Sequence, residues 1–304
     1  MPFKKRREFV FLYTIKDANP NGNPLEENHP RWDEDTEQVL VSDVRVKRTI
    51  RDEWVREGKY VFIDGEPKTL KNRFEELKKE IGKDTGREIM GECIDTKLFG
   101  VTFALGDESF SWSGPVQLKW GRSLNACHFE FIQGTSAFAT EGRGGSEKQQ
   151  RSFRNEYKVP FALIAVYGIA NQNAAVTTGA TEEDLDNLAS ALWKGTDNLI
   201  TRSKHEHKSR YYLEIQYKEG YDHKIGSLDE KLKLLSVSGE EMQRDAEKAL
   251  RNLGQHVVEI FPLVEAINKK QEFIERIRIF KDEELQLKGE AELNKFSFVE
   301  LEMR

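Results

Sequence analysis

Arg45, Lys47, Arg48 and Arg51 crowd the stretch "VSDVRVKRTIR" (41–51). Guanidinium and ammonium groups at this density suit the holding of phosphates. On a helical wheel of about 100° per residue, Val46, Ile50 and Trp54 fill one sector and the four cations fan around the adjoining side. A solvated face is the alternative, because Asp43–Lys47 and Arg48–Asp52 have the spacing of helical ion pairs worth about 0.2–0.5 kcal/mol each. Arg45 and Arg51 have no acid three or four residues away. Arg45 also falls in the first turn, where the helix dipole disfavours a cation by about 0.3–1 kcal/mol. Local stability does not select that arrangement; a polyanion would.

A second basic stretch, "EGRGGSEKQQRSFRNEYK" (141–158), sets Arg143, Lys148, Arg151, Arg154 and Lys158 among Phe153 and Tyr157. Cations between rings suit a single strand, since charges track phosphates while rings stack on bases. Gly142, Gly144 and Gly145 let the backbone bend. A surface loop with anchoring aromatics reads equally well.

Two patterns could hold a metal. Asp17, Asp33 and Asp35 follow an apolar run and could bind a divalent ion for RNA cleavage, although turns routinely carry Asp. His205 and His207 in "SKHEHK" could ligate from one side of a strand, although an HxH beside lysines reads more simply as surface. No P-loop, GxSxG, HExxH or CxxC occurs. Cys93 and Cys127 make neither a disulfide framework nor a zinc pattern, so a reducing cytoplasm is the expected compartment.

The 304 residues carry a net charge of −6 and a mean hydropathy of −0.68. Residues 219–304 hold 19 acidic and 14 basic residues, which places most of the excess acid there. The remainder is near neutral with local basic stripes, and screening within about 8 Å leaves such stripes free to meet phosphate. No run approaches the roughly 18 apolar residues of a membrane-spanning helix. The start, "MPFKKRREFVFLYTI", mimics a signal peptide, but Lys16 and Asp17 close the apolar run and no small-residue cleavage site follows.

The elements that must position these groups follow from periodicity. Residues 8–16 read as a strand that is apolar on both faces, hence central. After the turn-rich "DANPNGNP" (17–24) and a polar loop, Ser42 caps a helix over 43–57. Residues 70–82 and 239–254 have helical pattern, 127–133 and 159–170 read as strands, and 134–158 as a long connection between them. Thr181 caps a helix over 181–200, and 209–219 closes as a strand. With 58–126 taken as an insertion the order is β-α-β-β-α-β, an α+β core of ferredoxin-like or RRM type. Residues 1–219 form that unit, and 220–304 a helical or mixed C-terminal extension.

"FLYTIKDANPNGNP", "VLVSDVRVKRTIRDEW", "DTKLFG", "SWSGPVQLKWGRS", "FIQGTSAFA" and "VPFALIAVYG" together resemble the RAMP-type backbone subunit of the CRISPR-associated Cascade complex, closest to its subtype I-B form. The resemblance runs from about residue 8 to about 218. It implies a non-catalytic, RNA-binding subunit with a modified RRM core that multimerises along a guide RNA (crRNA) and presents it for pairing with target DNA. The implied partners are guide RNA, target DNA, copies of the chain, other Cascade subunits and a recruited nuclease-helicase. No cofactor, metal or membrane is implied. Arg45, Lys47, Arg48 and Arg51 match the family's guide contacts. Residues 134–158 match its thumb, and Gln117 and Arg122 fall in a shared motif. Two alternatives are kept: a metal-dependent ribonuclease using loop Asp33, and a protein-interaction domain that binds no nucleic acid.

Overall fold

The computed structural model describes residues 1–139, 151–295 and 298–300, with side chains at 135–139, 151–154 and beyond 293 excepted. In chain order, β1 (Arg7–Ala18) leads through β2 (Gly22–Asn23), β3 (His29–Pro30) and β4 (Trp32–Asp33) to β5 (Gln38–Val41) and α1 (Asp43–Arg56). Then come α2 (Leu70–Ile81), α3 (Gly86–Glu92), α4 (Ile94–Phe99), β6 (Gly100–Leu105), β7 (Glu108–Ser113), β8 (Val116–Leu118) and β9 (Gly121–Ser123). The hairpin β10 (Glu130–Ala139) and β11 (Arg151–Ala170) precedes α5 (Gln172–Thr178), α6 (Glu182–Asp197) and β12 (His207–Tyr217). The last part holds β13 (Lys233–Leu235), α7 (Arg244–Lys248), β14 (Val257–Glu259), α8 (Phe261–Asn268), β15 (Ile274–Lys281), β16 (Gln286–Lys288) and β17 (Phe298–Glu300).

β1 is central, with β11 on one side and β12 on the other, both antiparallel. Its alternation sorts two cores. Phe9, Phe11, Tyr13 and Ile15 join Val46, Ile50 and Trp54 of α1 and Leu185, Leu188 and Leu192 of α6. Val10 and Leu12 face the opposite way, into a second core with Leu213, Ile215, Leu234, Val258, Leu263 and Ile277. The period-2 pattern of a strand thus feeds two layers at once. The stripe on α1 is buried as its spacing requires, with Ile50 and Trp54 fully covered. At the α1–α6 contact, a Cβ on Gly195 would meet the Thr49 carbonyl oxygen at 2.8 Å, so the helices approach where only glycine fits.

The second core shows what residues 220–304 do. They cover the far face of the main sheet, and β15 extends that sheet beside β12. The buried Glu8 carboxylate fastens this layer, accepting from Tyr167 Oη at 2.6 Å and from the backbone N–H groups of Ile225 and Gly226 at 2.7 Å each. The helix expected over 239–254 is only α7, five residues long. Gly239 and Gly254 both take positive φ at its margins.

The core elements of the β-α-β-β-α-β reading correspond to β1, α1, β10, β11, α6 and β12. The place beside β11 is shared, since β8, β9 and β10 each pair with part of that long strand. The insertion between α1 and β8 has its own small core of Leu77, Ile89, Met90, Cys93, Phe103 and Trp112. Of the loop expected over 134–158, the described residues 134–139 and 151–158 are strand: β10 pairs with β11 from Glu130↔Lys158 out to Ala139↔Arg151.

Candidate nucleic-acid interface

The start of α1 is built from three segments. Ser42 caps the helix, its Oγ accepting the Arg45 N–H at 3.3 Å. The Asn21 side chain accepts the Ser42 N–H at 2.8 Å, tying the turn after β1 to the cap. The backbone N–H of Asn19 donates to Ser203 O at 2.8 Å, and that of Lys16 to Glu206 O at 3.1 Å, so residues 203–206 lie along the same turn.

The four α1 cations have unlike surroundings. Lys47 Nζ lies 3.0 Å from Asp43, and Arg48 lies 2.6 Å from Asp52 while donating to Ile63 O at 2.9 Å. Both local pairs anticipated from spacing are therefore made. Arg51 is buried, its Nε donating to the fully buried Asp95 at 2.9 Å, with its guanidinium over the Phe99 ring. Asp95 is 44 residues away in sequence, so its part in the helix's charge balance was invisible to an i,i+4 count. Arg45 is different. Its Nη2 donates to Thr49 Oγ1 at 3.1 Å, its buried Nε has no hydrogen-bond partner, and no carboxylate among the described residues lies within ion-pair distance. Burial lowers its pKa.

Arg45 lines a cavity with Phe11, Tyr13, Pro20, Thr49 and His207. His207 is 7% exposed and its Nδ1 also lacks a partner. Burial first, then Lys204, Arg45 and His205, pull its pKa down to about 3, so the ring is neutral near pH 7. Lys204, whose Nζ donates to Ser203 Oγ at 3.3 Å, has its pKa lowered by burial and by Arg45. A low-dielectric pocket with unopposed cations and unfilled donors suits an oxyanion.

Elsewhere the expected residues are engaged. Gln117 is exposed and donates to Gly114 O at 2.9 Å. Arg122 pairs with Asp33 at 2.6 Å, and that hydrogen bond holds the Asp33 carboxyl below its usual range. Lys158 pairs with Asp17 at 2.7 Å and Glu130 at 3.3 Å. Arg151 and Arg154 lie on β11 with their side chains outside the described set, and Arg143 and Lys148 lie outside the described residues altogether. At the hairpin base, His29, Phe129 and Tyr157 form a ring cluster with centroids 4.0–6.4 Å apart, and exposed Phe131 leans on Tyr157.

Asp17 and Asp33 each have their own basic partner. No group of three or more His, Cys, Asp or Glu side chains placed to hold a metal occurs among the described residues. His205 is exposed while His207 is buried, so the two do not converge.

The family model for "CRISPR-associated protein Cas7" matches residues 5–260. The chain belongs to the Cas7 family. A curated relative, the CRISPR-associated protein Cas7 of Haloferax volcanii, is 27% identical over 312 residues, covering 93% of this chain and 88% of that protein. A solved chain described as a CRISPR RNA-guided surveillance complex, pre-nicking, superposes with a TM-score of 0.54 at 10% identity. It covers 95% of this chain and is itself 98% covered, which supports a shared fold.

Sequence reasoning about this Cas7-family chain missed Lys204 and His207 as part of the α1 site. The signal was present: β12 begins at His207, not 209. Period 2 from Ser209, whose Oγ donates to Trp193 O on α6, carries that face back to His207, while a bulge at Arg210 turns Tyr211 to the opposite core. Arg31 was also passed over. Its guanidinium lies 5.8 Å from the exposed Trp120 ring, and its buried Nε has no partner.

Proposed function

We propose that this Cas7-family chain is a guide-RNA-binding backbone subunit of a type I CRISPR interference complex, of subtype I-B. It multimerises along the guide and presents it for pairing with target DNA, beside other Cascade subunits and a recruited nuclease-helicase. Arg45 carries the reading: a cation in the first turn of α1, where the helix dipole opposes it, with no carboxylate within ion-pair distance among the described residues. Such a charge is complemented by an anion from outside the chain. Lys47, Arg48, Gln117, Arg122 and Lys158 could add contacts by exchanging their present partners for phosphate. Arg143, Lys148, Arg151 and Arg154 are proposed as thumb contacts from sequence. Arg51 contributes by setting the helix against the insertion.

Both faces of the central sheet are covered, one by α1 and α6 and the other by the C-terminal layer. The open sheet on which an RRM stacks bases is thus occupied, which directs RNA to the α1 start and the hairpin. Phosphate contacts position a strand without reading its sequence, and base pairing then supplies specificity. In this reading the chain works in the cytoplasm and cuts nothing.

The test is incubation of the purified chain with labelled single-stranded RNA, with and without magnesium or manganese. Retention of intact RNA under both conditions is expected. Metal-dependent cleavage that disappears in Asp33→Ala would favour a ribonuclease, and failure to retain RNA would favour a protein-interaction domain.

A further inference from the structure

The cavity at the start of α1 brings together groups from three separate parts of the chain. Arg45 comes from the first helical turn, His207 from the first residue of β12 and Pro20 from the turn after β1. The cavity takes one water-sized group, in about 20 Å³. Two nitrogens of its lining residues, Arg45 Nε and His207 Nδ1, are buried without partners. Buried polar nitrogens without a partner are uncommon in native proteins and call for an explanation. Lys204 does not line the cavity, but it sits beside it on the 203–206 segment that hydrogen-bonds along the turn after β1, and Arg45 depresses its pKa.

The acids nearby do not pair with these nitrogens. Asp52 is the chief carboxylate acting on Arg45, but it lies 2.6 Å from Arg48. The groups acting on His207 are Lys204, Arg45 and the exposed His205, and Tyr13 stacks on its ring at 5.9 Å. All are cationic or neutral. From α6 the cavity receives Leu192 and Thr196, and from the following turn Leu199, none of them charged.

We propose that one non-bridging phosphoryl oxygen of the bound RNA backbone enters this cavity, with Arg45 and Lys204 as its ion partners and His207 Nδ1–H as a hydrogen-bond donor. The assignment rests on the RNA-binding reading above and adds Lys204 and His207, which lie on the basic 202–210 segment and not on α1 or the hairpin. Burial is the largest cause of the neutral state of His207, followed by Lys204 and Arg45; a phosphate would favour the charged ring, but those same two cations neutralise it. The ring therefore donates as neutral imidazole with its proton on Nδ1, and it contributes direction without charge.

Charge and direction separate in a salt titration. Each cation that neutralises a phosphate adds about 0.7 to the slope of log affinity against log salt for a single strand, and a neutral donor adds nothing. The experiment measures binding of two unrelated single-stranded RNAs to the full chain at 50–400 mM salt. Its variants are Arg45→Gln, Lys204→Gln, His207→Phe and His207→Asn, each checked by circular dichroism for native folding. Arg45→Gln and Lys204→Gln are each expected to flatten the slope by about 0.7. His207→Phe keeps the stacking on Tyr13 and is expected to lose about tenfold in affinity with an unchanged slope. His207→Asn, whose amide nitrogen stands near the Nδ1 position, recovers most of that loss.

If wild type binds RNA but the Arg45 and Lys204 variants keep its slope, this assignment is overturned and the RNA-binding reading stands. If wild type binds no RNA, the RNA-binding reading itself falls. A tightening of wild-type binding below pH 7 that vanishes in His207→Phe overturns the neutral donor. A last arm adds inorganic phosphate at matched ionic strength. Thermal protection by phosphate that needs Arg45, without any change of RNA slope in the variants, assigns the cavity to free phosphate and overturns the RNA source. Should His207→Phe fail to fold, the slopes of the Arg45 and Lys204 variants still decide.

Discussion

The side-chain oxygen of Asn21 accepts the backbone N–H of Ser42 at 2.8 Å. One residue of a turn-rich stretch thereby holds the cap of the helix that carries the basic groups. The same Asn21 accepts the Arg31 N–H through its own carbonyl at 2.9 Å, closing the excursion through β2 and β3. The turn formers are thus fastened at both ends, and Pro20 is buried at the cavity that Arg45 also lines. Asn21→Ala removes the tie to Ser42 and should cost about 1 kcal/mol of stability. A fall in denaturant midpoint with faster amide exchange at 43–46 is the expected outcome. Unchanged exchange there would show that Ser42 holds the cap unaided.

Arg51 and Asp95 make the second decisive relationship. Asp95 also accepts the backbone N–H groups of Phe62 at 2.7 Å and Ile63 at 3.2 Å, so one carboxylate joins α1, α4 and the chain entering the insertion. Asp95→Ala leaves Arg51 buried and unpaired and should cost about 3–5 kcal/mol. Arg51→Met should likewise destabilise, yet leave the salt slope of RNA binding by the folded protein unchanged. A flattened slope in Arg51→Met would make Arg51 a phosphate contact.

His207 gives stability a pH dependence of known sign. In the unfolded chain the imidazole titrates near 6.5, and in the native state burial holds it down to about 3. Between these values the unfolded chain takes up a proton that the native chain refuses, so acid favours unfolding. The contribution is complete above about pH 6.5 and is lost as pH falls towards 3, at up to about 1.4 kcal/mol per unit. From pH 7 to 5 the wild type should lose about 2 kcal/mol more than His207→Phe. Equal losses in chemical denaturation would contradict a neutral buried ring.

Where one element's own periodicity decides, sequence and structure agree. The alternation of 9–15 placed β1 between two layers, the Val46–Ile50–Trp54 spacing placed the inner face of α1, and Ser42 and Thr181 cap as expected. What was hidden depends on pairing between distant segments. The length of the β10–β11 hairpin is set by cross-strand partners up to 28 residues apart, such as Glu130↔Lys158. Its glycines and polar side chains carry no strong strand pattern. Residues 220–304 were unreadable for a related reason. Their apolar residues are matched to the far face of a sheet made by β1, β11 and β12, and no local period records that match. At the candidate site, local spacing gave Lys47–Asp43 and Arg48–Asp52, while Asp95, Lys204 and His207 reach α1 only through the fold.

The most direct test of a sequence-tolerant guide binder is the affinity of the purified full chain for two single-stranded RNAs of unrelated sequence, followed from 50 to 400 mM salt. The account predicts affinities within about threefold of each other and a steep common salt slope. The slope should be flatter in Arg45→Gln and unaltered in Arg51→Met. Strong preference for one sequence, or binding indifferent to salt, would contradict it.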